Sequence, residues 1–287
     1  MTTLYQEARA ALRDAGFAPK KSLGQNFLVH DRVLESILRL VDLSPDDEIL
    51  EIGPGLGSLT RRLVERARRV WAGEIDRFLV EKLRGGALGS HPALELIHGD
   101  ILELPLEKIL PDRKIKLVAN LPYSISTPVL FRLFELREHF SFFVLMVQRE
   151  VAERMASAPG TKSYGSLSVW CQVHGRITGK IAVAPEAFLP RPKVRSTVLK
   201  LELHPEPLVS AEEVPVLRGL VRAVFGQRRK TLENNLTGWL KIGREEVARL
   251  LQSRNIDPRR RGETLGIDEF IGLARAIKNL RLIAESG

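Results

Sequence analysis

The chain has 287 residues, 44% of them hydrophobic and 28% charged, with a formal net charge of +9; this composition suits a globular protein with one large domain and one small one. A longest apolar run of only six residues (142–147) and an N-terminus without an apolar centre argue against a membrane span and a secretory signal. Because Cys171 is the only cysteine and the six histidines are scattered, we expect a cytoplasmic protein without a disulfide, a metal site or a membrane partner.

Apolar runs of strand length alternate with helical patterns from Asp47 onward. The predicted strands cover residues 49–52, 70–75, 94–98, 115–119 and 142–148, and the predicted helices between them cover residues 59–68 and 128–136. This alternation predicts a parallel sheet with helices on both faces. Two later apolar stretches, residues 177–183 and 196–203, could pair antiparallel at an edge of the sheet, with a proline-rich loop (185–192) between them.

The first predicted strand runs into a glycine-rich turn, from Gly53 through Gly55 to Gly57, which opens the first helix. Glycines at such a turn let the backbone approach a ligand closely, because no Cβ stands in the way. The spacing differs from the G-x-G-x-x-G fingerprint of dinucleotide-binding folds, whose third glycine would fall on Ser58. This disfavours a nicotinamide dehydrogenase, while a tight structural turn without a ligand stays open.

Carboxylates follow the next two strands at their carboxyl ends. Glu74 ends the second strand, where an acidic residue can bond both ribose hydroxyls of an adenosine. Asp100 ends the third strand, where its oxygen could accept from an adenine amino group. Each residue alone could instead cap a helix. Ligands of open parallel sheets bind at these strand ends, so the ordered set predicts a nucleoside-containing cofactor.

The fourth strand is followed by Asn120-Leu121-Pro122-Tyr123, which carries the groups needed to hold the amine of a flat base. The adenine amino nitrogen is a poor nucleophile, because its lone pair is delocalised into the ring. Two acceptors bonded to its hydrogens would localise that lone pair, and the side-chain oxygen of Asn120 and the carbonyl of Leu121 could supply them. Tyr123 could stack on the base. A strand end with a half-buried tyrosine in a proline turn is the structural alternative.

The pattern changes after His204-Pro205-Glu206-Pro207, which has the composition of a linker. Helical spacing alone follows, over residues 214–225, 228–240, 245–252 and 269–279. We therefore predict an α/β domain over residues 1–204, with an N-terminal segment (1–46), and a small all-helical domain over residues 208–287. Residues 191–287 hold 19 Lys and Arg against 12 Asp and Glu, which favours a nucleic-acid partner over a basic surface kept for solubility.

Motifs spread over most of the chain carry a resemblance to known proteins. The glycine turn with its two carboxylates resembles class I S-adenosylmethionine-dependent methyltransferases, which implies the cofactor S-adenosylmethionine and a mostly parallel, Rossmann-like seven-stranded sheet. Together with Asn120–Tyr123, further motifs resemble the rRNA adenine dimethyltransferase family. These motifs cover residues 21–28 (KSLGQNFL), 188–194 (FLPRPKV), 225–232 (FGQRRKTL) and 261–265 (RGETL). Arg195 departs mildly from the family pattern, because an acidic residue is expected there.

This second resemblance implies dimethylation of two adjacent adenosines in a hairpin loop near the 3′ end of 16S rRNA, a step in small-subunit biogenesis. It implies that Asn26 and Leu28 contact the cofactor from the N-terminal segment. It also implies that Phe188 stacks on the target base opposite Tyr123. Taken in isolation, Phe188 would be a core residue, but the proline-rich loop would let this side chain project. The residues implied to bind the cofactor from the sheet are Gly53, Gly55, Glu74, Asp100 and Asn120.

Two basic clusters in the helical part are candidates for phosphate contacts: one that we expect to open a helix, Arg228-Arg229-Lys230, and one after Pro258, Arg259-Arg260-Arg261. Each could also be an ordinary solvated helix face. Three other functions stay open at this point. They are a large-subunit rRNA methylase of the macrolide-resistance type, an RNA-binding assembly factor without activity, and a dehydrogenase. We expect a monomer that acts on 16S rRNA within the small subunit.

Overall fold

The computed structural model describes residues 3–14 and 16–285, with side-chain surroundings for all of these except Lys21 and residues 281–285. The chain divides into two compact units. The first, here called the α/β unit, comprises residues 1–152 and 176–203. The second, here called the helical unit, comprises residues 153–175 and 204–287. Among the described residues, no helix has the length and apolar character that a bilayer span requires.

Nine strands belong to the two sheets that the structure describes. They are β1 (Phe27–Leu28), β2 (Glu48–Ile52), β3 (Arg69–Glu74), β4 (Leu94–His98), β5 (Ile115–Asn120), β6 (Phe140–Gln148), β7 (Gly175–Val183), β8 (Phe188–Leu189) and β9 (Ser196–Leu203). Seven of them form one sheet in the order β4-β3-β2-β5-β6-β9-β7. The first five strands in that order pair in parallel, and β9 pairs antiparallel with β6. The predicted seven-stranded, mostly parallel sheet is therefore confirmed.

The central strands are apolar because helices cover both faces of a parallel sheet. Every residue of β2 is buried, and Ile49 and Leu50 are wholly shielded from solvent. The strand signals were strong for that reason, and the predicted bounds differ from the observed ones by at most two residues. The later stretches are neighbours at one edge of the sheet, with β7 outermost.

Polar or glycine residues flank several helices of the α/β unit, where they interrupt the apolar pattern. They are α1 (Leu4–Asp14), α2 (Asp31–Val41), α3 (Ser58–Val64), α4 (Arg77–Gly85), α5 (Leu106–Ile109), α6 (Ser126–Glu135) and the start of α7 (Arg149–Met155). Asp76 is the N-cap of α4, where its side chain accepts from the backbone N–H of Phe78. Short turns at the carboxyl ends of β2 and β3 thus lead directly into the helices α3 and α4.

The helical unit contains α8 (Ser166–His174), α9 (Val214–Gly226), α10 (Leu232–Leu240), α11 (Arg244–Gln252) and α12 (Ile267–Glu285). It includes residues 153–175, which we had predicted within the α/β domain. The reason is Tyr164, whose side chain is fully buried. Its hydroxyl donates to the Leu265 carbonyl at 3.0 Å, and its ring packs edge-on against Phe225 at 5.9 Å. That long-range contact has no local sequence signal.

A second correction concerns the helix predicted over residues 228–240. The helix α10 begins at Leu232, and Thr231 is its N-cap, with a side-chain oxygen that accepts from the Asn234 N–H. Residues 228–230 therefore lie in the turn before the helix and do not open it. Threonine is a good N-cap because its oxygen satisfies a backbone donor that the helix cannot.

Candidate active site

The turn after β2 needs its glycines. Gly53, Gly55 and Gly57 all have positive φ, at 72°, 59° and 79°. A Cβ at Gly55 would lie 2.9 Å from the ring of Phe27, and one at Gly57 would lie 2.8 Å from the side chain of Leu83. Because L-residues rarely adopt this backbone region, the turn is specified by its sequence. It brings backbone amides to the carboxyl edge of the sheet.

Glu74 ends β3 beside this turn and is 6% exposed. Its carboxylate accepts from the Gly55 N–H at 3.1 Å and from the Asp76 N–H at 2.9 Å. Burial outweighs these bonds and raises the pKa of Glu74 above its ordinary value. The side chain thus braces the glycine turn while retaining lone pairs for a ligand.

Glu74 and Asp100 line the same open cavity, of about 730 Å³ including its mouth. One oxygen of Asp100 accepts from the Leu102 N–H at 2.9 Å, and the other accepts no hydrogen bond from a described residue. The other predicted cofactor or base residues that line this cavity are Asn26, Gly53, Gly55, Asn120, Leu121 and Tyr123. The structure therefore brings together two carboxylates, a glycine turn and a carboxamide, a donor and acceptor set that fits an adenosine-containing cofactor.

Asn120 ends β5 with its amide held in one orientation. Its Nδ2 donates to the Asn26 carbonyl at 3.0 Å. Within the described part of the chain, its Oδ1 accepts no hydrogen bond, and neither does the Leu121 carbonyl. The Leu121 N–H is used in the sheet, where it donates to the Met146 carbonyl at 3.1 Å. Two acceptor oxygens on successive residues thus border the cavity with free lone pairs.

Tyr123 completes this edge of the cavity. Its hydroxyl shares a hydrogen bond of 2.7 Å with Oγ of the buried Ser196 on β9. Burial raises the pKa of Tyr123 above its ordinary value, so the phenol stays neutral at physiological pH. The hydroxyl is anchored and the ring lines the cavity, which is the arrangement that a stacking platform for a base requires.

Phe188 is the main correction to the predicted site. Its side chain is 2% exposed and belongs to the hydrophobic core of the α/β unit. The strand β8 pairs antiparallel with β1, which sets Phe188 opposite Leu28. The expectation that Phe188 projects from its loop is therefore wrong, and stacking on a base would require the side chain to leave this core. Leu28 is 8% exposed and lines a neighbouring cavity of about 510 Å³ with Gly53 and Asn120.

Four residues in this region have no role in the sequence analysis: Lys20, Gln25, Asp76 and Glu51. Lys20 and Gln25 bind the buried carboxylate of Asp76, directly beside the cavity. Asp76 carried a usable signal, since an aspartate one residue before a helix is a common N-cap. Glu51 on β2 is 2% exposed, and burial raises its pKa to about 8, with the Glu74 carboxylate adding to the effect.

The basic clusters of the helical unit lie on adjacent turns. Main-chain bonds run from Leu232 N–H to the Arg260 carbonyl at 2.8 Å and from Glu233 N–H to the Pro258 carbonyl at 3.1 Å. Of the predicted RNA-binding residues, Arg229, Lys230 and Arg261 are exposed without a side-chain partner among the described residues. Arg228 donates to the Lys162 carbonyl at 3.1 Å, which leaves its charge uncompensated.

The other two arginines differ from these. Arg259 is exposed and forms a weak pair with Asp257, whose carboxylate oxygen lies 3.5 Å away. Arg260 is committed to structure. It makes two bonds to the Glu269 carboxylate, at 2.5 and 3.0 Å, and also donates to the carbonyl of Thr264 at 2.7 Å. These bonds make a phosphate contact a secondary use of Arg260.

Comparison with known proteins agrees with this geometry. Residues 16–277 match the family described as ribosomal RNA adenine dimethylase. The chain is 46% identical to ribosomal RNA small subunit methyltransferase A of Geobacter metallireducens, over 94% of this chain and 99% of that protein. It is 45% identical to the protein of the same name from Syntrophotalea carbinolica, over 91% of this chain and 97% of the relative.

Two solved structures resemble the fold. A dimethyladenosine transferase from Plasmodium falciparum has a TM-score of 0.77 and 25% identity, with 88% of this chain and 98% of that chain covered. The 23S rRNA methyltransferase ErmE has a TM-score of 0.67 and 26% identity, with 88% and 100% covered. The predicted family is thereby confirmed: this chain belongs to the ribosomal RNA adenine dimethylases.

Proposed function

We propose that this chain uses S-adenosylmethionine to dimethylate the N6 amines of two adjacent adenosines in a hairpin loop near the 3′ end of 16S rRNA. We propose further that it acts as a cytoplasmic monomer during small-subunit biogenesis. One observation carries the chemistry: the Asn120 amide is held by the Asn26 carbonyl, which leaves its Oδ1 free beside the free Leu121 carbonyl. The family of the chain supports the choice of substrate.

The cavity supplies the groups that would hold the cofactor. Glu74 can accept from ribose hydroxyls, Asp100 from an amino group of the purine, and the turn at Gly53 and Gly55 leaves room for close approach. When bound, S-adenosylmethionine supplies a methyl group on a cationic sulfur, and the electrons of the broken sulfur–carbon bond return to that sulfur.

The chain acts on the target amine through two acceptors and one aromatic face. Oδ1 of Asn120 and the Leu121 carbonyl accept the two hydrogens of N6, which draws the nitrogen toward a tetrahedral geometry. Tyr123 stacks on the base and fixes its plane, which contributes about 1–3 kcal/mol. No catalytic base is required, because the nitrogen becomes acidic once it carries the methyl group and its proton passes to solvent. Positioning then accounts for most of the acceleration.

The basic turns of the helical unit would bind the RNA backbone. Arg228, Arg229, Lys230 and Arg261 carry charges that no described carboxylate neutralises. Replacing Arg228, Arg229 and Lys230 with alanine should lower the slope of log affinity against log salt by about 2–3, because each phosphate contact contributes about one unit. An unchanged slope would remove these residues from the interface.

The decisive experiment is to incubate the protein with radiolabelled methyl donor and small subunits that lack the modification, and then to map the labelled nucleotides. We expect two dimethylated adenosines in the 3′-terminal hairpin, and no label with an Asn120→Ala variant. Label elsewhere, or a single methyl group at each position, would overturn the proposal. Tight binding to the subunits without methyl transfer would identify the protein as an RNA-binding assembly factor.

A large-subunit substrate is the second candidate, because the structural similarity to ErmE extends over 88% of this chain. The same experiment with protein-free large-subunit RNA separates the two candidates. Preferential methylation of that RNA would favour the second candidate, whereas a strong preference for small subunits would exclude it.

A further inference from the structure

A short segment at the edge of the cofactor cavity is tied down at both ends. This segment, here called the N-terminal strap, comprises residues 20–26, and four of its residues line the cavity. At its first residue, Lys20 Nζ lies 3.0 Å from an oxygen of the Asp76 carboxylate, and near its last residue Gln25 Nε2 donates to the same oxygen at 2.8 Å. At the last residue of the strap, the Asn26 carbonyl accepts from the side-chain amide of Asn120. The strap thus connects Asp76 with the amide that faces the base.

The Asp76 side chain is built for this contact. It is completely shielded from solvent and accepts from Lys20, Gln25 and the Phe78 N–H. Burial alone would raise the pKa of Asp76, but these donors outweigh it and lower the pKa below its ordinary value. Gln25 is bound on both sides, because its Oε1 also accepts from the Lys20 N–H at 2.8 Å. The carboxylate is therefore ionised and its hydrogen bonds to the strap are charge-assisted.

The middle of the strap packs against the turn that presents the base-binding groups. A Cβ on Gly24 would lie 3.3 Å from Cβ of Pro122, so the two segments are in close contact and only glycine fits comfortably there. Asn26 is also bound internally, since its own Nδ2 donates to the Gly24 carbonyl at 3.0 Å. These contacts fix where the Asn26 carbonyl points.

Resting on the proposed function, we infer that Asp76 is a positioning residue for methyl transfer. It holds the strap through Gln25, the strap holds the Asn26 carbonyl in place, and that carbonyl selects the rotamer of Asn120 in which Oδ1 faces the base. The side-chain amide of asparagine has a broad, roughly two-fold torsion, so only an external contact keeps nitrogen and oxygen from exchanging places. With the two exchanged, a donor would meet the amine and methyl transfer would stop.

A purely structural role is the competing explanation, because Asp76 also caps α4. A reciprocal exchange separates the two roles. Gln25→Glu keeps the size of the side chain and replaces its donor with a like charge, and Asp76→Asn keeps a capping oxygen but removes the charge. Their combination restores one donor and one acceptor, in exchanged places. Asp47→Asn is the matched control, since Asp47 pairs with Lys116 at 2.6 Å before the amino end of β2.

We expect each single variant to lower turnover at saturating donor and RNA by 10- to 100-fold, on the order of the loss that a misplaced reacting group causes. RNA affinity should stay within about twofold, and the double variant should recover to within about fivefold of the starting protein. Asp47→Asn should leave turnover unchanged. A double variant no better than the single variants, or an RNA affinity that falls with turnover, would overturn the inference.

A second readout does not depend on activity. The side-chain NH₂ signals of Asn120 in a ¹⁵N-edited spectrum should be sharp and protected in the starting protein, and should shift and exchange faster in Gln25→Glu. Unchanged signals would overturn the positioning role even if turnover falls. Failure of the starting protein to methylate rRNA would count against the proposed function alone, because these signals report the strap contact directly.

Discussion

Buried carboxylates at the amino end of the central sheet are paired with arginines, whereas those that the structure describes at the carboxyl end are not. The contrast is clearest on β2. Glu48 and Glu51 lie three residues apart on this strand, at 7% and 2% exposure. At the amino end, Glu48 accepts from both Arg68 and Arg113. Burial opposes its ionisation, but the two guanidinium groups outweigh burial and lower the pKa of Glu48. This end of the sheet is neutralised by its own side chains.

The carboxyl end is left incomplete. Neither Glu51 nor Glu74 has a cationic partner among the described residues, and burial raises the pKa of both. Oε2 of Glu51 is buried and has no hydrogen-bond partner among the residues that the structure describes. Buried polar groups are normally satisfied, so buried groups left short of partners are candidates for contact with a ligand. The same residue type on one strand is therefore paired with arginines at one end and left without a cation among the described residues at the other.

The largest effect should come from replacing Asn120, which supplies a free acceptor oxygen at the carboxyl end of the sheet. Asn120→Ala should lower methyl transfer at least about 1,000-fold, because it removes an acceptor that acts on the reacting nitrogen. Thermal unfolding should change little, since the amide makes one bond to the Asn26 carbonyl. Turnover and melting temperature measured together test this, and near-normal turnover would disprove the acceptor mechanism.

The next effect concerns the cofactor. Glu74→Ala should raise the dissociation constant for S-adenosylmethionine by about 10- to 100-fold, in line with the loss of hydrogen bonds to a charged group. The variant should leave RNA affinity almost unchanged, because Glu74 lies among cofactor-side groups of the cavity. Calorimetric titration with donor, beside RNA binding at fixed salt, makes the comparison. Equal losses in both would contradict the ribose assignment.

At the amino end, substitution should affect stability without affecting chemistry. Glu48→Gln removes the charge that holds Arg68 and Arg113 and should lower the free energy of unfolding by about 2 kcal/mol. Its contribution is present above pH 4.5 and is lost as the pH falls through the lowered pKa. Urea unfolding at pH 7 measures the change. Turnover per folded molecule should stay constant, and a large loss would show that the two ends are coupled.

The pH dependence of Glu51 sharpens the contrast between the two ends. With a folded pKa of about 8 against an ordinary value of 4.5, this group keeps its proton while the unfolded chain loses it. Its contribution to stability is complete below pH 4.5 and declines as the pH rises toward 8. Without donor, Glu51→Gln should therefore gain stability relative to the starting protein between pH 5 and 8. A constant difference in urea unfolding would refute the raised pKa.

Much of this architecture was predictable from local pattern. Buried parallel strands are continuous apolar runs, and the glycine turn, Glu74, Asp100 and Asn120 each follow one of them at the same edge of the sheet. Position along the sequence was enough there, because consecutive strands of a parallel sheet present the same end to the same edge.

The predictions failed where contacts with segments distant in the sequence determine the surroundings of a residue. Phe188 is buried because β8 pairs with β1 some 160 residues away, and no local signal announces that partner. Arg259, Arg260 and Arg261 look alike in the sequence, yet only Arg260 meets the Glu269 carboxylate. Tyr164 joined the helical unit for the same reason, through its bond to the Leu265 carbonyl.

Main-chain hydrogen bonds connect the turn at Arg228–Lys230 to the turn at Arg259–Arg261, and this affects how an RNA would bind. Because peptide groups of Leu232 and Glu233 carry these bonds, replacing Arg229, Lys230 or Arg261 should leave the spacing of the turns intact. The two loops form a single preorganised platform, so little ordering entropy is spent when a polyanion docks on it. The charges of Arg229, Lys230 and Arg261 can therefore be removed one at a time without changing the backbone beneath them, whereas Arg260 is part of that structure.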